Sequence, residues 1–285
     1  MEEEIIEEEI IREIGISRYE AAMREDEKSR ATIEKYLHHV RQFTAFCAGR
    51  KIDKEIMRKY KEKLGESYAP SSANTALAAV NGYLRFCGLG RCCVRHFKVQ
   101  RKVYCPEEKE LNREEYIRLV DAARRKGRGR LAMLIQVVCS TGIRISELKY
   151  ITVEAVRQGE TCVSCKGKMR TVFLTHALRE QMREYISQRG IETGPVFITR
   201  TGKPVDRTNI WREMKALCTE AAVSPGKVFP HSLRHLFARC FYAIDRDIAK
   251  LADILGHSSI NTTRIYIATT GEEHRRRMEA MHLVI

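Results

Sequence analysis

Residues 231–266 read HSLRHLFARCFYAIDRDIAKLADILGHSSINTTRIY. The apolar spacing in this stretch predicts three short helices, at 231–243, 247–255 and about 259–267. His231 and Arg234 stand three apart and so share one helix face, while Tyr266 follows His257 by nine residues. Taken singly, each has a plain structural explanation: the first pair a solvated basic face, the tyrosine a core aromatic with a satisfied hydroxyl. The pattern gains meaning only from what precedes it.

Working back toward the N-terminus, TGIRISEL (141–148) places Arg144 before a helix expected at 145–151, with Glu147 one turn on to orient it. Leu131–Ser140 is nearly all apolar, broken only by Gln136, and is expected as a buried helix; Asn112 caps another, REEYIRLVDAARRKG. Thr161–Cys165 and Thr171–Leu174 are β-prone runs flanking KGKMR (166–170), which reads as a hairpin with a basic tip. Helices return at 175–188 and 206–221, and an amphipathic one at 272–283 leads to the apolar Met281, Leu283, Val284 and Ile285.

The first hundred residues read as all-helical. Ile33, Tyr36, Leu37, Val40, Phe43, Phe46 and Cys47 mark one face of a helix over 31–47. A second helix over 53–64 is expected to stop at Gly65, and a third over Ala76–Phe86 to be capped by Ser72 or Asn74 and stopped by Gly88. The acidic residues 2–14 suggest one more. Residues 89–110 lose periodicity, are basic and contain Pro106, the marks of a linker. The expected organisation is a helical domain over 1–100, a linker at 101–110 and a second domain over 111–285, mainly α with a small β-sheet.

Composition narrows the function classes. At 285 residues, two cores are the better expectation than one. Residues 1–30 hold 11 acids against five bases, so the formal net charge of +14 is carried by the remainder, which implies a polyanionic partner, foremost double-stranded DNA. No apolar run approaches a membrane span, and the acidic N-terminus is unlike a signal peptide, so no membrane association is expected and a cytoplasmic, nucleoid-associated protein is. Ten irregularly spaced cysteines then read as reduced thiols. Cys162-x-x-Cys165 lacks a second half at zinc-finger spacing, even with Cys92, Cys93 and His96 in the chain, so neither a metal nor any other cofactor is expected.

Together, TGIRISEL, KGKMR, HSLRH (231–235) and LGHSSINTTRIY (255–266) supply the parts for metal-free attack on a phosphodiester. Two arginines suit the charged non-bridging oxygens, because guanidinium forks bind phosphate bidentately and stay charged. Histidine can take a proton near neutral pH, a lysine on a hairpin can protonate a leaving oxygen, and a tyrosine becomes a usable nucleophile among cations.

These segments resemble the signature boxes of the tyrosine recombinases, or phage integrases, most closely the short Xer-type members. TGIRISEL is similar to the first box, HSLRH to the H-x-x-R box, and LGH with its tyrosine nine residues on to the last. The resemblance implies a catalytic set of Arg144, Lys166, His231, Arg234, His257 and Tyr266, with Lys168 a rival for Lys166 because this turn is one residue short. His235 is expected to point elsewhere on its helix, as a buttress. The family's fold implies a C-shaped clamp on DNA, a helical SAM-like core-binding domain joined to a catalytic domain. Its activity implies a 3′-phosphotyrosyl intermediate, a Holliday junction, a homotetramer with the C-terminal helix docked in trans, and a possible second recombinase or directionality factor. Two other functions remain open at this point: type IB topoisomerase-like relaxation, and DNA binding without catalysis.

Overall fold

Residues 13–99, 110–165, 168–199, 201–267, 275, 276 and 278–282 are described by the computed structural model of the chain, which divides into two compact units, 1–101 and 102–285.

In the first unit, helix α1 (Glu13–Glu25) packs Ile16, Tyr19 and Met23 against the buried face of α2 (Arg30–Cys47) and against Tyr83. The acidic run had drawn the expected helix to 2–14. Residues 2–12 lie outside the described residues, and the helix over 13–25 rests on only three apolar positions in a charged sequence. Helix α3 (Lys54–Ser67), capped by the Asp53 carboxylate, runs through Gly65 rather than stopping there. That glycine serves a close approach: a Cβ on it would stand 3.1 Å from Cζ of Phe97.

Helix α4 (Pro70–Phe86) starts at Pro70, whose fixed φ suits the first helical position, and not at Ser72 or Asn74. Asn74 serves elsewhere. Asn74 and Asn81, two turns apart on one face, each bond both polar groups of an extended residue: Phe97 N donates to Asn74 Oδ1 (2.7 Å) and Val94 N to Asn81 Oδ1 (3.2 Å), while each amide donates back to the same residue's carbonyl at 2.9 Å. Residues 89–99, expected as linker, therefore belong to the first unit's body, with Leu89, Cys92 and Val94 in its core. Residues 100–109 lie outside the described residues.

The second unit is built round helix α6 (Gly129–Thr141), buried from Leu131 to Val138 except at Gln136. Each large aliphatic side chain buried there contributes about 1.5–3 kcal/mol. Helix α5 (Arg113–Arg125) packs beside it, fixed by a reciprocal cap between Asn112 and Glu115. A 3₁₀ helix (Ile145–Tyr150) and α7 (Val153–Gln158) follow; α7 is too short to leave a periodic signal. Strands β1 (Glu160–Cys165) and β2 (Lys168–Phe173) form a two-stranded antiparallel hairpin in which Cys165 pairs with Lys168 and Val163 with Arg170. Arg170, expected at the tip, lies well inside β2, and residues 166 and 167, between the strands, lie outside the described residues.

Then come α8 (His176–Arg189), α9 (Arg207–Lys215, shorter than the expected 206–221), α10 (Pro230–Ile244), α11 (Ile248–Leu255) and α12 (Ile260–Tyr266). Helix α10 lies on α6, and its Arg239 pairs with the buried Glu110 and donates to the Leu111 carbonyl. The helix expected at 272–283 falls largely outside the described residues; 275, 276, 278 and 279 are helical. The described part is thus mainly α with one small sheet, and none of its helices is long and apolar enough to cross a membrane.

Candidate active site

The site forms where α6, α10 and α11 end or begin. At the end of α6 the Thr141 hydroxyl donates to the Val137 carbonyl (2.6 Å) and accepts from the Ile143 amide, and Gly142 turns the chain at a φ of +63°. A Cβ at Gly142 would stand 2.5 Å from Phe237 Cδ1, so only glycine lets α10 pack this closely. The chain leaves this turn extended through Arg144, whose backbone amide donates to Glu147 Oε2 at 2.9 Å. Pro230 starts α10 at its first position, which puts His231 and Arg234 in that helix's first turns.

Helix α11 ends at Gly256, also at a φ of +63°. Its last carbonyls have no partner within the helix and carry the partial negative charge of the helix end. Three successive carbonyls there each accept from a different arginine. Ile254 takes Arg170 Nε (3.0 Å), Leu255 takes Arg234 Nη2 (2.5 Å) and Gly256 takes Arg144 Nη2 (3.3 Å). Three guanidiniums, drawn from a loop, a strand and a helix, are thereby gathered on one helix end.

Arg234 is almost wholly buried, donates also to the Gly142 carbonyl, and leaves its Nε without a hydrogen-bond partner among the described residues. Burial first, then repulsion from Arg144, lowers its pKa to about 10, so it remains charged at neutral pH. Glu147 is the counter-charge. Its Oε1 accepts from Arg144 Nη1 (2.8 Å) and Arg170 Nη1 (3.0 Å), and its Oε2 from Arg170 Nη2 (2.7 Å). Burial would raise its pKa, but the bonds from Arg170 and Arg144 outweigh that and hold it at about 2.

His257 is fixed at both nitrogens. Arg234 Nη2 lies 3.0 Å from Nε2, and since a guanidinium only donates, Nε2 accepts; Nδ1–H therefore donates to the Thr263 hydroxyl at 2.9 Å. Burial, then Arg234, Arg144 and Arg170, presses the His257 pKa down to about 4; burial, then Arg207, Arg234 and Arg144, lowers that of His231. Tyr266 closes the group, its ring centroid 4.8 Å from that of His257 and 5.8 Å from the Arg234 guanidinium carbon of its own chain.

Arg144, His231 and His257 line one cavity of about 850 Å³, with Arg234 and Tyr266 packed against His257. Five of the six residues singled out in the sequence thus lie together. Lys166 lies outside the described residues; its rival Lys168 is the first residue of β2. His235 corrects an expectation. Rather than pointing away, its ring packs on Tyr266 in a tilted contact with centroids 4.1 Å apart, and burial foremost lowers its pKa to about 4. The contact suits a buttress. Sequence reasoning missed two more residues, Arg170 and Thr263; the signal for the second was its place three residues, one turn, before Tyr266. Among the described residues, no group of three His, Cys, Asp or Glu could hold a metal.

Three guanidiniums gathered near the Glu147 carboxylate, with Asp253 also lining the cavity and a tyrosine and neutral histidines beside it, leave a net positive charge suited to an anion that a nucleophile attacks. The family model described as the phage integrase family matches residues 109–273, all the elements that build the site. The chain belongs to this family. Among curated relatives of this integrase, the tyrosine recombinase XerA of Pyrococcus furiosus is 26% identical over 267 residues, 90% of each chain. Among solved structures, XerH bound to its palindromic difH substrate after cleavage superposes with a TM-score of 0.73 at 20% identity, covering 88% of this chain and 79% of that one. A lambda integrase tetramer bound to a Holliday junction gives 0.72 at 15% identity, over 88% and 75%.

Proposed function

We propose that this integrase is a site-specific tyrosine recombinase that exchanges strands of duplex DNA through Tyr266. The observation that carries the reading is the packing of Tyr266 on Arg234 and His257 of its own chain, beside the cavity lined by Arg144 and His231. Arg144 and Arg234 clamp the scissile phosphate, whose oxygens gain charge in the transition state; His257, its Nε2 accepting from Arg234 and its Nδ1 donating to Thr263, holds Arg234 in place. Tyr266 Oη attacks phosphorus, and the bond from phosphorus to the 5′ oxygen breaks. His231, kept neutral by its lowered pKa, takes the tyrosine proton, and Lys166 on the hairpin tip protonates the departing oxygen. The product is a 3′-phosphotyrosyl bond and a free 5′-hydroxyl, which attacks the equivalent bond in a partner duplex to form a Holliday junction. The bond energy is conserved in the tyrosyl ester, so the scheme calls on neither ATP nor a metal.

Residues 1–100 form the DNA-binding domain, 101–110 the linker and 111–285 the catalytic domain in this reading. Four copies act together, the apolar C-terminal residues of one docking on the next; the exposure of Met278 and Met281 and the lambda integrase tetramer support this. Swivelling by a type IB topoisomerase and binding without cleavage are disfavoured by the recombinase relatives and by the assembled site.

The test is incubation with nicked fragments of the source genome in EDTA, followed by detection of SDS-resistant protein–DNA adducts. Adducts are expected from the wild type and not from Tyr266→Phe, which should still bind the DNA. Binding without any adduct in the wild type would overturn the reading.

A further inference from the structure

Arg170 is buried to within a tenth of its side-chain surface, yet no step of the reaction uses it. Its three hydrogen bonds go to the Ile254 carbonyl and, as a two-pronged fork, to both oxygens of Glu147. Arg144 gets only one side-chain bond from that carboxylate, at Oε1. The loop end is shaped for Arg170: a Cβ on Gly256 would stand 2.8 Å from Arg170 Cδ, so the left-handed glycine before His257 makes room for this side chain.

The charge balance follows. Glu147 alone beside Arg144 would be a one-to-one pair, with the carboxylate free to close its own fork on Arg144 and neutralise it. With Arg170 present, two guanidiniums that both line the cavity share one carboxylate, Arg170 holds the two-pronged pair, and a net positive charge is left for an incoming phosphate. We propose that Arg170 is a positioning residue: by occupying the fork of Glu147, it keeps Arg144 unneutralised and aimed at the phosphate. Because it sits in β2, it also ties the hairpin that carries Lys166 to the helix end that carries His257.

The inference deepens the recombinase reading of this site and rests on it. A double-mutant cycle tests it, with Arg170→Met, which keeps much of the side chain's length against Gly256, and Glu147→Gln, which removes the competing charge. The readouts are the single-turnover rate of adduct formation on nicked genomic DNA retained by the wild type, and DNA affinity by gel shift. R170M should lower the rate at least tenfold and leave affinity within twofold. In the E147Q background, R170M should change the rate by less than threefold, because there is no carboxylate left to claim Arg144. An equal loss in both backgrounds, which a purely structural role would give, overturns the proposal, as does wild-type cleavage by R170M. Should R170M fail to fold, Arg170→Lys serves in the same cycle, since one ammonium cannot fork a carboxylate, and the same criteria apply. A wild type that forms no adduct refutes the recombinase reading itself, whereas a cleaving wild type with an additive cycle refutes only the role of Arg170.

Discussion

Thr263→Val is a sharp test of how the site holds its last histidine. Thr263 is fully buried in α12, and its hydroxyl accepts the Nδ1 proton of His257 at 2.9 Å. Valine matches the shape of threonine, so the change leaves no cavity, and it costs little in helix propensity. What it removes is the acceptor. His257 cannot answer by moving its proton to Nε2, because that nitrogen faces Arg234 Nη2 at 3.0 Å and two donors would meet. The ring must keep an unsatisfied buried N–H, or swing away and leave Arg234 without its partner. A buried donor left unpaired costs about 1–3 kcal/mol. If that loss falls on the transition state, the rate drops roughly 10- to 100-fold at about 1.4 kcal/mol per factor of ten. The assay is single-turnover adduct formation on nicked DNA, with urea unfolding to apportion the loss. Thr263→Ser, which keeps the hydroxyl, should stay within a few-fold of wild type. Wild-type rate and stability in T263V, or equal losses in T263S and T263V, would refute the argument.

Gly142→Ala should destabilise the second unit by about 2–5 kcal/mol, the sum of a left-handed non-glycine residue and overpacking against Phe237 and Leu255; urea midpoints measure it. Asn81→Leu should cost about 2–5 kcal/mol by stranding the amide and carbonyl of Val94, and should expose residues 94–99 to proteolysis, read by mass spectrometry of the fragments. His231, His235 and His257 all have folded pKa values below the ordinary 6.5, two of them at about 4. Below pH 6.5 the unfolded chain therefore takes up protons that the folded one refuses, so stability should fall as pH drops from 6.5 to about 4. Glu147, held at about 2 from 4.5, adds its own loss only below about pH 4.5, so a fall in urea midpoint between pH 7 and 5 reports the histidines and should shrink in His235→Gln.

Much of the site was legible in the sequence because its residues lie at helix starts and ends, where spacing fixes which side chains share a face. His231 and Arg234 on one turn of α10, and Asn112 as the cap of α5, follow from local geometry alone. Family resemblance added Arg144, His257 and Tyr266 as partners of that pair. The misreadings share a cause: a residue's partner lay far along the chain. Locally Gly65 reads as a helix stop, but Phe97 packs on it; Asn74 reads as a cap, but its amide bonds the Phe97 backbone; and His235 reads as a buttress pointing elsewhere, but α12 returns Tyr266 to its face. Arg170 looked like a hairpin-tip charge because nothing local shows that Glu147, 23 residues earlier, waits for it.

The sequence by itself determined most of the helices and the hairpin, since periodicity and caps are properties of neighbours in the chain, and family resemblance supplied the rest of the candidate residues. Only the tertiary structure decided how the charges are shared. Three arginines from a loop, a strand and a helix meet on the open carbonyls of α11, and one carboxylate is divided between two of them. Hydrogen bonds between groups so distant in sequence depend on directions and distances fixed only when the helices pack.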